Sequence, residues 1–159
     1  MSQDQNPSVE VKILDQRLAV WGLPKHESTM AAAIDLRACI DASLTIEPGT
    51  PAQLVSSGIA IHLADPYLTA IVVPRSGLGH KQGLILGNLT GVIDADYTGP
   101  VMISVWNRNA LGTPPIVIGP GERIAQMLFV PIVRPRFAIV SEFSRASKRG
   151  SGGFGSTGC

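Results

Sequence analysis

The sequence predicts an all-β domain, a distorted jelly roll or β-sandwich, from three observations. Short runs rich in Val, Ile and Leu recur along the chain. Turn pairs separate them: Pro48-Gly49, Asp65-Pro66, Gly99-Pro100, Pro114-Pro115 and Pro120-Gly121. The 12 prolines also leave little room for a long helix. Short strands at regular spacing, divided by turn residues, build sandwiches, jelly rolls or barrels.

The elements follow in order. Val9 to Leu14 alternates apolar and polar residues, the period of a half-buried strand. Further strands are expected over Asp35 to Ile40, Leu44 to Ile46, Gln53 to Leu63, Leu68 to Val73, Leu84 to Leu86 and Val92 to Ile93. The series continues with Val101 to Asn107, Pro115 to Ile118, Arg123 to Val130 and Arg136 to Val140. One short helix is expected after Pro74, with Ser76 as its cap, Leu78 to Gln82 as its body and Gly83 as its stop. The β domain spans residues 1–143. Residues 144–159 form a flexible glycine-rich arm, because the run has no periodic apolar face to pack.

Composition limits the function classes. A chain of 159 residues fits one domain with a core of its own. It is 45% apolar and 5% aromatic, so the core is built from Val, Ile, Leu and Ala. A net charge of +1 gives no footprint for nucleic acid or an anionic membrane. No apolar run is long enough to span a bilayer, and the polar start M-S-Q-D-Q-N-P is unlike a signal peptide. Two cysteines, Cys39 and Cys159, make neither a disulfide framework nor a zinc spacing, which points to a reducing cytoplasm.

Five segments carry chemistry. In G-V-I-D-A-D-Y-T-G (Gly91 to Gly99), a strand preceded by β-branched residues and expected to be buried delivers Asp94 at its end. Asp94 is placed for general-base work on water and the Tyr97 ring for packing on a sugar; a solvated Asx-type turn fits the same residues. P-R-S-G (Pro74 to Gly77) opens the short helix, where free amides, Arg75 and Ser76 suit an anion, although a plain helix cap also explains it. G-E-R-I-A-Q-M-L-F (Gly121 to Phe129) sets Gln126 in a central strand, where a buried amide is commonly structural. A-I-D-L-R-A puts Asp35 on another strand, within reach of a surface ion pair with Arg37 or another base. Last, five of the ten residues from Arg149 to Gly158 are glycine, around Arg149 and Phe154. An arginine fork for phosphate and an aromatic face for a base, on a pliable backbone, read as a flap over a nucleotide.

These segments, together and in this order, resemble the five motifs of the homotrimeric dUTP diphosphatase (dUTPase) family, bacterial type, over nearly the whole chain. The resemblance implies a dUTPase-like β-barrel that hydrolyses dUTP to dUMP and pyrophosphate. It gives Asp94 the role of activating the water that attacks the α-phosphorus, with Gln126 beside it. Arg75, Ser76, Gly77 and Arg149 then grip the phosphates. Mg²⁺ is held mainly by phosphate oxygens, with Asp35 acting through water. Uracil is read by the turn from Gly87 to Ile93, with Asn88, Val92 and Ile93, and by the backbone of Met102. Tyr97 lies under the deoxyribose and Phe154 closes over the base. The site is assembled from three subunits, without nucleic acid or membrane.

Two stretches depart from the pattern or stand outside it: Ala33 occupies a position often held by glycine, and Asn109 to Pro115 reads as a variable loop with no role. A related enzyme class, dCTP deaminase or the bifunctional deaminase–diphosphatase, needs a glutamate acid/base at the ring. A non-catalytic nucleotide sensor on the same fold needs no water-activating carboxylate.

Overall fold

Side-chain alternation on one strand shows how this sequence makes a core. In the run Pro100–Asn107, Val101, Ile103, Val105 and Asn107 are buried, while Met102 is exposed and Ser104 and Trp106 are half-buried. The computed structural model describes residues 7–145 and Gly150. Among these residues the strands are β1 (Glu10–Ile13), β2 (Ile34–Arg37), β3 (Leu44–Ile46), β4 (Gln53–His62) and β5 (Leu68–Pro74). They continue with β6 (Leu84–Leu86), β7 (Gly91–Ile93), β8 (Pro100–Asn107), β9 (Ile116–Ile118) and β10 (Arg123–Pro131).

Two four-stranded antiparallel sheets, ordered β1-β4-β8-β6 and β2-β10-β5-β7, and a ribbon of β3 with β9 share one apolar core. Ile59, Ile103 and Val105 enter it from the first sheet, Leu36, Val72 and Met127 from the second, and Ile46 and Ile118 from the ribbon. The all-β sandwich is therefore as the sequence predicts. The sheets are stitched together just beyond β2. Ala38 N–H still bonds Glu122 C=O before β10 (2.8 Å), but Cys39 N–H bonds Ser56 C=O in β4 (2.8 Å). That switch ends β2 at Arg37, short of the predicted Ile40.

The predicted helix after Pro74 differs in kind. Residues Leu78–Gln82 form a π-helical turn with no side-chain cap, so Ser76 does not close it. Its end is as expected: Gly83 sits at φ +80° and its N–H bonds Leu78 C=O. A one-turn helix, α1 (Leu18–Trp21), was not expected. It buries Leu18, and Arg17 ahead of it stacks on the Trp21 ring at 4.9 Å.

The predicted strand over Arg136 to Val140 is absent. Beyond Pro131 the described chain runs outside both sheets, leaving Phe137, Ile139 and Phe143 exposed. Pro135 removes a ladder donor, and nothing among the described residues covers these apolar side chains.

A β-bulge in β4 shapes the wall that faces the site. Ser56 pairs with Met102 and Ala60 with Pro100, so three residues of β4 span Val101 alone. The buried Ser57 hydroxyl donates to Val101 C=O (2.6 Å), and Gly58 takes φ +72°. A Cβ at Gly58 would collide with Cys39 Sγ and come within 2.9 Å of Asp15 Cβ. Neither neighbour yields easily. Asp15 is gripped by Arg17 at 2.6 Å, which holds its carboxyl below the usual range, and Cys39 is packed into the apolar core. Gly58→Ala should therefore lower unfolding free energy by about 2–4 kcal/mol, from left-handed strain and overpacking together. Urea denaturation of the two proteins side by side checks this.

Candidate active site

The strand order leaves two sheet edges facing each other. β7 pairs only with β5, through Ala70–Ile93, Ile71–Val92 and Val72–Gly91. β8 is paired by β6 only from Val105 to Asn107, and Gly87 N–H adds one bond to Ser104 C=O (2.8 Å). Toward Pro100, β8 runs on beyond β6. Between β7 and this overhang lies an open cavity of about 250 Å³. Asn88, Val92, Ile93, Asp94, Tyr97 and Met102 all line it.

The turn from Gly87 to Ile93 is a corner rather than a paired hairpin. Its flanking strands belong to different sheets, β6 beside β8 and β7 beside β5. The corner is held by Leu89 N–H to Leu86 C=O (3.0 Å) and Thr90 N–H to Asn88 C=O (2.7 Å), with Leu89 at φ +62°. Val92 is 66% exposed on this edge strand, so the expected burial around Asp94 does not occur. An edge strand has one sheet neighbour only, and the cavity occupies the other side.

Asp94 stands where β7 ends and is itself exposed. The following turn is closed by backbone, Tyr97 N–H to Asp94 C=O at 3.2 Å, so the carboxylate is not needed to hold it. The Tyr97 hydroxyl donates to Pro100 C=O (2.9 Å), and a Cβ at Gly99 would lie 2.6 Å from that hydroxyl. Glycine at 99 therefore lets the ring lie flat along the chain.

A second polar group sits on the outer face of β2, β10 and β5. Asp35, Gln126 and Val73 are direct neighbours across these strands, while Ile34, Met127 and Val72 point into the core. Asp35 accepts a hydrogen bond from Arg123 Nη1 (3.1 Å) and forms an ion pair with Arg75, whose Nε lies 2.8 Å away, with its own side chain only 16% exposed. One carboxylate between two guanidiniums leaves surplus positive charge, which suits an anion. Gln126 Nε2 donates to Pro74 C=O (2.9 Å), and the exposed Ser76 and Gly77 follow directly. Nothing lies within 4 Å of a Cβ built on Gly77, so a ligand has open access to that backbone.

A family model described as dUTPase matches residues 19–158. The chain belongs to the dUTPase family. Curated relatives named deoxyuridine 5'-triphosphate nucleotidohydrolase include one from Psychromonas ingrahamii, 53% identical over 151 residues (94% of this chain, 97% of that one). Another from Ralstonia pickettii is 54% identical over 150 residues, with the same coverage. Among solved structures, the Staphylococcus bacteriophage 80alpha dUTPase with dUpNHpp superposes with a TM-score of 0.78 at 25% identity, covering 97% of this chain and all of the other. A mutant dUTPase of S. aureus phage phi11, described with a structural Mg(II) ion, shares the fold at 21% identity, with a TM-score of 0.75 and coverage of 87% and 99%. No helix among the described residues is long and apolar enough to cross a membrane.

Within this dUTPase chain the site residues expected from sequence fall into two sets. Asp94 and the nucleoside-side residues gather at the cavity; Asp35, Arg75, Ser76, Gly77 and Gln126 do not line it. Arg149 and Phe154 lie outside the described residues. Asp35 makes its ion pairs with Arg75 and Arg123 rather than Arg37, whose Nη1 donates to Gly121 C=O (2.8 Å). Arg123 is the residue that sequence reasoning passed over. It is three positions from Gln126, which in a regular strand means opposite faces. A bulge between Arg123 and Ala125 absorbs Ile124 into the core and returns both side chains to one face. The remaining signal was its place inside G-E-R-I-A-Q-M.

Asp35→Asn should release both guanidiniums and lower unfolding free energy by about 1–3 kcal/mol, the smaller end applying because the arginines are partly solvated. Raising salt should shrink the difference, and thermal unfolding at two ionic strengths checks both statements.

Proposed function

We propose that the protein hydrolyses dUTP to dUMP and pyrophosphate, lowering dUTP and supplying dUMP for thymidylate synthesis, with Asp94 as the general base. The observation that carries this reading is a carboxylate at a strand end, on the rim of a nucleoside-sized cavity and unused by its own turn. Water hydrogen-bonded to Asp94 loses its proton to the carboxylate as its oxygen attacks the α-phosphorus, and pyrophosphate leaves on the far side. Base assistance of this kind contributes roughly 10²–10⁴ in rate, and in-line positioning and charge neutralisation supply the rest. Gln126, anchored to Pro74, has amide capacity left to orient the α-phosphate and water.

Uracil fits between β7 and the β8 overhang, where main-chain groups at Val92, Ile93 and Met102 read its rim and Asn88 closes one end. A fixed backbone pattern leaves groups unpaired against cytosine, which is a large penalty. The close-fitting corner rejects a thymine methyl by clash. Tyr97, pinned to Pro100, lies against the deoxyribose and leaves no room for a 2′-hydroxyl. Cytosine deamination is disfavoured because no glutamate is among the residues lining this cavity.

The phosphates go to Arg75, Ser76, Gly77 and Arg149. No group of three or more His, Cys, Asp or Glu among the described residues could cage a metal, which suits an ion liganded by phosphate oxygens and water. Asp35 keeps lone pairs beyond its two arginine contacts and would hold Mg²⁺ through that water shell. When bound, the ion neutralises the triphosphate. The two sets of residues work together in a homotrimer whose sites are shared between subunits, and the bare apolar stretch at Phe137, Ile139 and Phe143 supports such an assembly. Residues 144–159 form the arm that closes over the site, with Phe154 on the base. The buried free thiol of Cys39 suits a cytoplasmic setting.

Product analysis with dUTP, dTTP, dCTP and UTP side by side tests the reading: dUMP and pyrophosphate from dUTP alone are expected. Asp94→Asn should cut kcat by about 10²-fold or more while keeping dUpNHpp affinity; near-normal turnover would remove the assigned base. Truncation after Ser147 should leave a folded trimer by size-exclusion chromatography, with kcat reduced by about 10²-fold or more. A fully active truncated chain would rule out the arm.

A further inference from the structure

The backbone that delivers Asp94 is held at one buried point. The β5–β7 ladder ends at the Ala70–Ile93 pair, and Asp94 comes next. Immediately before Ala70, the hydroxyl of Thr69 donates to the carbonyl of Ile93 at 2.8 Å. Thr69 is 6% exposed, in a position where valine would fill the same space without the hydrogen bond. The carbonyl it holds belongs to the peptide unit that continues into the nitrogen of Asp94. Beyond that point the restraints are longer, Tyr97 N–H to Asp94 C=O at 3.2 Å and Ala64 N–H to Ala95 C=O at 3.3 Å.

Packing does little for this carboxylate. Asp94 lines the 250 Å³ cavity on one side and a second cavity of about 600 Å³ on the other, which Thr69, His62, Asp96 and Arg134 also line. A side chain in a thin wall between two openings takes its direction from its own backbone. We infer that Thr69 is a positioning residue: its hydroxyl fixes the Ile93–Asp94 peptide and so aims the carboxylate into the nucleoside cavity. The role rests on Asp94 being the base.

The test compares Thr69→Val and Thr69→Ala, which remove the hydroxyl, with Thr69→Ser, which keeps it. Measured quantities are kcat and KM for dUTP and the Kd for dUpNHpp. Loss of aim should lower kcat roughly tenfold in Thr69→Val, with KM and Kd within about twofold of the parent and kcat restored in Thr69→Ser. Thr69→Ala serves if the valine variant does not fold. A double-mutant cycle supplies the readout that a purely structural role would not move: on the Asp94→Asn background, Thr69→Val should have no further effect on kcat. Unchanged kcat in both hydroxyl-less variants overturns the inference, as does a serine variant as slow as valine, or an equal loss on the Asp94→Asn background. High turnover in Asp94→Asn alone would instead overturn the base assignment.

Discussion

Unpaired strand edge is the constraint from which the nucleoside side of the site follows. Backbone N–H and C=O groups at a cavity wall must bond to something, water or ligand. Here β7 has one neighbour and β8 outruns β6, so two bare edges line the same opening. A flat ring with donors and acceptors on its rim satisfies both edges at once. Main chain cannot be altered by substitution, so a base read this way, as we propose for uracil, would keep its selectivity when the surrounding side chains change. The bulge in β4, with Ser57 holding Val101, keeps the β8 edge in place from behind.

The charged face obeys a different rule. Arg75 and Arg123 would repel one another if left alone, and Asp35 between them keeps both forks oriented at a fixed separation. The triad retains a net positive charge, so it is prepared for an anion without collapsing on itself. Organising the arginines beforehand reduces the reorganisation that remains when charge develops on a phosphate.

Much of this was legible in the chain. Strand positions followed from alternation, because a sheet with one face in the core demands it, as in β8. The segment over Arg136 to Val140 differs: its four consecutive apolar residues suit a buried strand, but no strand among the described residues lies beside them. Val92 misled because β-branched residues suit edge and buried strands alike. Ser76 has the chemistry of a cap, yet the turn that follows is π-helical and leaves it unused. Sheet membership was invisible, and with it the corner at Gly87 to Thr90 and the cavity itself, since pairing between distant strands leaves no local mark. Arg123 and Thr69 left no mark in the sequence because the contacts they make depend on a bulge and on a cross-strand carbonyl. The motif residues were found through their order along the chain, and the fold then divided them into two sets.

The bulge in β10 has a consequence for which changes this chain tolerates. Ile124 is the extra residue of the bulge: without it Arg123 and Gln126 would stand two apart and still share a face, because Arg123 and Ala125 already pair with the consecutive residues Arg37 and Leu36. Loss of Ile124 and its exchange for a polar residue thus take away the same thing, an apolar side chain wholly inside the core. Apolar character, more than length, is what position 124 has to preserve.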